Sequence, residues 1–152
     1  MAKHVGVQLP DELYTVLQKG TIAVLATFSE KGSPYAVPIQ WIYPKGRESI
    51  LMSLHKDTVS YHNMVWQKKL TLCVMDGGNV VYTILGRSGV VRAPSMVNPL
   101  MNVVRIDIIE IQNEKSLLTS VDAGIQWKYT SPDAHELGDA LMDELKELST
   151  VL

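Results

Sequence analysis

The segment Leu51-Met52-Ser53-Leu54-His55-Lys56-Asp57-Thr58 gathers the residue types most suited to binding chemistry in this 152-residue chain. An apolar strand runs there into polar residues that open a helix. At such a junction free backbone N–H groups, a lysine and hydroxyls converge on one point, which suits an anion and a phosphate group above all. Lys56 and Thr58 are the assigned phosphate contacts, with Ser53 and His55 beside them. The same residues would also make an ordinary helix cap next to a solvated lysine.

Other patterns carry less. Gly86-Arg87-Ser88-Gly89 is not a nucleophile elbow, because that turn needs a helix after the serine and none follows. No Walker sequence and no Gly-x-Gly-x-x-Gly precedes a helix. The four histidines, His4, His55, His62 and His135, have no carboxylate or cysteine partner at metal-ligand spacing, so no metal site is assigned. The aromatic residues include Tyr35, Trp41, Tyr61 and Tyr82, which either wall a planar ligand or fill the core. Trp127 stands apart, in a segment with no core of its own, as a ligand contact or a dimer anchor. Cys73, the sole cysteine, lies in the apolar run Leu70–Met75 and reads as a buried structural thiol.

These residues need elements to hold them. Leu9, Leu13, Val16 and Leu17 recur at helical spacing up to Gly20, which ends the helix. Thr21–Phe28 and Tyr35–Tyr43 read as two strands around the turn residues Glu30 to Pro34. Pro38 removes a ladder donor from the second run, which must therefore lie at an edge or carry a bulge. Ser49–Leu54 is a third strand, and Asp57–Gln67 a helix with Asp57 as candidate N-cap. Leu70–Met75 and Val80–Leu85 form a hairpin across Asp76 to Asn79, Gly86 and Gly89 mark a bend or bulge before Val90–Arg92 continues the sheet, and Val103–Gln112 alternates as a half-buried strand. From Ser131 a capped helix carries the stripe Leu137, Leu141, Leu145 and Leu148, a candidate surface for a second subunit.

Consecutive short strands with few helices favour a barrel, which removes exposed sheet edges. The fold class is mainly β: a six-stranded antiparallel split barrel with short helices and a C-terminal helix. It forms one domain over 1–152, with the barrel over about 9–112 and a C-terminal extension over 113–152. A formal charge of −2 argues against a nucleic-acid-binding face. Met1–Pro10 lacks the apolar core of a secretory signal and no stretch has the length of a membrane span, so a cytoplasmic location with no membrane partner is expected.

Read in order, Ile22–Thr27, then Gly32-Ser33-Pro34-Tyr35-Ala36-Val37-Pro38-Ile39, Ile50–Leu54, the Thr58 helix, Leu70–Met75, Ile84-Leu85-Gly86-Arg87-Ser88-Gly89-Val90-Val91 and Val104-Arg105-Ile106 resemble the pyridoxamine 5′-phosphate oxidase-like, FMN-binding split-barrel family. The resemblance covers roughly Leu9 to Gln112. It implies FMN held non-covalently between two subunits of a homodimer. Its ring would lie against Val37, Pro38, Ile39 and Gln40, and its phosphate beside Ser53, Leu54, His55, Lys56 and Thr58; Trp127, beyond the span of the resemblance, is a candidate cofactor contact from the second subunit. Where family members often carry Ser or Thr, any residue, then Lys or Arg, this chain has Thr58-Val59-Ser60, with Lys56 as the substitute cation. The short connection Ala93–Met101 lacks the helix that many members place there.

The resemblance thus implies an FMN-dependent oxidoreductase with a small-molecule redox partner and no assigned catalytic residue. Its alternatives are a non-catalytic flavin-binding or electron-carrier protein, and a reductase using the deazaflavin F420. A haem-binding or purely structural barrel is the reading from a different class.

Overall fold

The computed structural model describes residues 3–151; Met1, Ala2 and Leu152, which the sequence reading included in its domain, lie outside the described residues. A short strand β1 (Lys3–Gly6) precedes helix α1 (Asp11–Lys19). Strands β2 (Ala23–Phe28), β3 (Pro34–Ile39), β4 (Ile42–Lys45) and β5 (Ser49–His55) follow, then helix α2 (Val59–Trp66). Strands β6 (Lys69–Asp76), β7 (Val80–Arg92) and β8 (Met101–Asn113) complete the sheet, and α3 (Pro132–Ser149) ends the chain.

Every strand pair is antiparallel, in the order β3-β2-β6-β7-β8-β5-β4, with β1 added on β8. The two ends of this path, β3 and β4, are separated in the chain only by Gln40 and Trp41. A sheet whose terminal strands are consecutive must curl back on itself, and this one makes a split barrel. Its interior is one apolar cluster that includes Leu25, Ile39, Ile42, Ile50, Met52, Leu72, Ile84 and Ile106. Leu13 and Leu17 of α1, both 0% exposed, join that cluster. β5 is buried on both faces because α3 covers the side turned away from the interior.

The architecture expected from sequence is present, with differences that have physical causes. The path holds seven strands rather than six, because the run Tyr35–Tyr43 breaks at Gln40–Trp41 into β3 and β4. Pro38 does lie on an edge strand: β3 pairs only with β2. Pro34 and Pro38 share one side of the strand alternation, and a proline is tolerated where its missing N–H would face away from the ladder. Val80–Leu85 and Val90–Arg92 form one continuous strand, and the irregularity expected at the glycines is present as a register shift between Leu85 and Gly86. A Cβ at Gly86 would lie 2.3 Å from Ile106 Cγ2, so the close approach of β8 requires glycine there. β1 was not expected, its four residues being too few to show a period.

In α3, Leu145 and Leu148 cluster with Leu51 and Val103 of their own chain, with Trp41, Tyr43 and Met142 packed against them, and Leu141 is buried as well. The leucine stripe offered to a second subunit is therefore mostly consumed within the chain, because α3 is long enough to cover β4 and β5. Only Leu137 remains partly exposed, at 37%. Lys45 fastens the end of the helix by donating to the carbonyls of Leu148 and Val151.

Candidate functional site

A cavity of about 380 Å³ opens where edge strand β3 meets the end of β5 and the start of α2. Its walls are Tyr35, Val37, Pro38, Ile39, Gln40 and Trp41 on one side, and Ser53, Leu54, His55, Thr58, Ser60 and Met101 on the other. The volume falls within the range of roughly 300–1,000 Å³ common for small-molecule sites. Val37–Gln40 and the residues Ser53, Leu54, His55 and Thr58, all chosen from sequence, thus line one cavity although they lie in different parts of the chain. Lys56 is exposed beside the cavity rather than in its wall. Trp127 lies elsewhere in the chain, in a cleft with Tyr129 and His135. Its ring packs edge-on against Tyr129 at 5.0 Å, and Tyr129 stacks on His135 at 4.8 Å.

The β5–α2 junction is held by its own hydrogen bonds. Thr58, not Asp57, caps α2: it is extended, and its Oγ1 accepts from the Tyr61 N–H at 3.3 Å. The same hydroxyl donates to the His55 carbonyl at 2.9 Å. Asp57 is displaced from the cap because its backbone N–H donates to His55 Nδ1 at 3.2 Å, which closes a turn one residue earlier. With Nδ1 accepting, a neutral His55 carries its proton on Nε2, where it is a donor. The Thr58 side chain is thus already engaged. The anion-binding capacity of the junction rests on the first-turn N–H groups of the helix, whose partial positive charge favours negative ligands.

Three buried side-chain polar atoms in the described residues have no hydrogen-bond partner: Trp41 Nε1, Ser53 Oγ and Ser60 Oγ. All three belong to residues in the walls of this one cavity. Ser53 and Ser60 are each 1% exposed. Buried polar groups are paired in the great majority of cases, and leaving one unpaired costs about 1–3 kcal/mol. Sequence reasoning reached Ser53 through the phosphate pattern. It named Trp41 only among the aromatics that either wall a planar ligand or fill the core, and it did not select Ser60.

Glu12 Oε1 accepts from Lys115 Nζ at 2.7 Å and from the Tyr82 hydroxyl, tying α1 to β7 and to the segment after β8. Lys115, then Tyr82, hold the Glu12 carboxyl below its ordinary value, while burial first and Glu12 second push the Tyr82 hydroxyl up. Burial, with a smaller effect of Glu114, raises the Cys73 thiol. Among the described residues no three His, Cys, Asp or Glu side chains gather as a metal site, and no helix is long and apolar enough to cross a membrane.

Strand order, the packing of α1 on the barrel's apolar interior and the cavity beside edge strand β3 define a split barrel. The chain belongs to the pyridoxamine 5′-phosphate oxidase family, whose model matches residues 9–121. Flavin binding is common in that family. Among solved structures, the fold is similar to that of a Lactobacillus delbrueckii protein described as a candidate pyridoxamine 5′-phosphate oxidase. The two share 19% identity and a TM-score of 0.63, over 72% of this chain and 98% of that one. HupZ of Group A Streptococcus matches at 16% identity and a TM-score of 0.62, covering 76% of this chain and 99% of its own. A protein named F420 reductase matches at 13% identity and a TM-score of 0.59, over 68% and 98% of the two chains. Among curated proteins none matches.

Proposed function

We propose that this protein binds FMN non-covalently in the cavity between β3 and α2, as a homodimer, and serves as a flavin-dependent oxidoreductase for a small molecule. The observation that carries the reading is the concentration of Trp41 Nε1, Ser53 Oγ and Ser60 Oγ, all unpartnered, around that one cavity. These groups fit a ligand that is planar and apolar over much of its surface yet rimmed with hydrogen-bonding atoms. The indole N–H can only donate, so it calls for an acceptor, while each serine can donate or accept.

The chain's part in such a site follows from its residues. Val37, Pro38 and Ile39 offer a flat apolar strip on an edge strand, and the outward side of that strand supplies backbone groups that no neighbouring strand uses. The first turn of α2 and Ser60 suit a phosphate, with Lys56 supplying long-range attraction from outside the cavity wall. When bound, FMN would supply hydride and electron transfer, and the protein its orientation and electrostatic surroundings. His55 Nε2–H is available as a donor to the ligand. Trp127 stays a candidate contact from a second subunit, since its place in one chain is outside the cavity.

The deciding experiment is an absorption spectrum of the purified protein before and after addition of FMN, with mass spectrometry of whatever cofactor is released and sedimentation of the loaded protein. Oxidised-flavin bands, released FMN and a dimer are expected. A colourless protein that takes up no FMN would sink the proposal, and release of F420 instead would redirect it to the deazaflavin. Reduction of the bound flavin by a nicotinamide donor separates an oxidoreductase from a flavin store.

A further inference from the structure

The C-terminal helix α3 lies outside the residues matched to the family, yet it carries a buried acid aimed at the barrel. Glu144 is 4% exposed. Its carboxylate accepts from Arg92 Nη1 at 3.1 Å, from the Met96 N–H at 2.8 Å and from the Ser95 hydroxyl. A carboxylate so far from water is tolerated only when its oxygens are well supplied with donors. All three donors come from the end of β7 and the connection that follows it.

That connection leads to the cavity in a few hydrogen-bonded steps. Ser95 Oγ accepts from the Val97 N–H at 3.0 Å, and the Ser95 N–H donates to the Met101 carbonyl at 2.8 Å, which folds the connection into a closed turn. The Lys56 N–H donates to the Leu100 carbonyl at 2.8 Å, and Met101 stands opposite His55 in the β5–β8 ladder while lining the cavity. α3 also borders the cavity wall through Trp41, which packs against the cluster of Leu51, Val103, Leu145 and Leu148 and forms part of that wall.

We infer that Glu144 is a positioning residue for the ligand cavity, holding the β7–β8 connection so that Leu100 and Met101 fix the backbone of His55 and Lys56. The inference rests on the flavin reading of the cavity. Loss of the carboxylate leaves α3 docked, because Leu141, Leu145 and Leu148 stay buried and Lys45 still holds the helix end. What is lost is the common acceptor for three donors, and with it the register of the connection.

The test compares Glu144→Ala, Glu144→Gln and Ser95→Ala with the native protein by FMN titration and by amide hydrogen exchange. Removal of a buried acceptor predicts that Glu144→Ala weakens FMN binding by about tenfold. Glu144→Gln keeps an acceptor oxygen and should restore most of the affinity. Lys56 and Ser95 amides should lose roughly tenfold in protection in Glu144→Ala, beyond any change at Leu25 and Leu72 in the β2–β6 pair. Ser95→Ala, which cuts the link from the other side, should show the same local signature. Native binding with an unchanged affinity in Glu144→Ala, or a loss of protection spread evenly over the barrel, overturns the inference. A native protein that takes up no FMN refutes the reading of the cavity instead, and the Lys56 amide then still reports whether Glu144 fixes the connection.

Discussion

Replacing Ser60 by alanine should move stability and binding in opposite directions. The Ser60 hydroxyl is buried at 1% exposure without a partner, so the ligand-free fold bears a desolvation cost of about 1–3 kcal/mol for it. Alanine removes that cost and is a slightly better helix former, by roughly 0.5 kcal/mol, while the void left by one oxygen takes back part of the gain. A net stabilisation of about 1 kcal/mol is expected, which for a chain of this size raises Tm by about 2–4 °C. With FMN present the sign reverses. A lost hydrogen bond to a phosphate or ring acceptor is worth about 1.5 kcal/mol, so Kd rises by about tenfold. At an FMN concentration of about 100 times the native Kd, ligand protection falls from roughly 2.7 to 1.4 kcal/mol. Thermal melts with and without FMN, joined to a fluorescence titration, measure both quantities. A variant that is less stable without ligand and binds FMN as tightly as the native protein would refute the reasoning, because Ser60 would then be an ordinary satisfied core hydroxyl.

Lys56→Ala should weaken FMN binding by about threefold to tenfold, the modest value of an exposed charge, and leave riboflavin affinity unchanged; equal losses for both ligands would show that Lys56 does not act on the phosphate. Glu12 gives a pH dependence. Its carboxyl is held below the ordinary value of 4.5 by Lys115 and Tyr82, so its stabilising contribution is present above that value and lost as pH falls through the lowered one. The difference in urea midpoint between native protein and Glu12→Gln should therefore be largest near neutral pH and shrink below about pH 4, whereas a constant difference would rule out ionisation as its source. Gly86→Ala should cost about 1–3 kcal/mol, because its Cβ would meet Ile106 and the Asp107 carbonyl at 2.3 and 3.1 Å. Gly89→Ala, with open space around its Cβ, is the matched control. Equal urea midpoints for the two variants would exclude the close approach of β8 as the reason for glycine.

What the sequence made legible was local, and what it hid was made by the closing of the sheet. The alternation in Val104, Ile106 and Ile108, the Gly-Gly-Asn turn and the Ser131-Pro132 cap each state their conformation within a few residues, and each is found as read. Pro38 gave more than a local signal, since a missing N–H restricts a strand to an edge, and an edge beside a barrel's split is where a ligand has access. The breaks were harder. Nothing between Tyr35 and Tyr43 lowers β propensity at Gln40, so the division into β3 and β4 comes from the need to turn the end of the sheet back onto itself. The cavity has the same origin. Val37 and Ser53 carry no mutual signal along the chain, and only the meeting of β3 with the β5–α2 junction puts them in facing walls. Trp41 shows why composition alone could not assign it. Its side chain packs against the cluster of Leu51, Val103, Leu145 and Leu148, as a core aromatic would, while its indole nitrogen is left without a partner, as a binding residue's would be. The cluster that takes the side chain is complete only once α3 has docked across β4 and β5, whereas the cavity that Trp41 lines is made by the meeting of β3 with the β5–α2 junction.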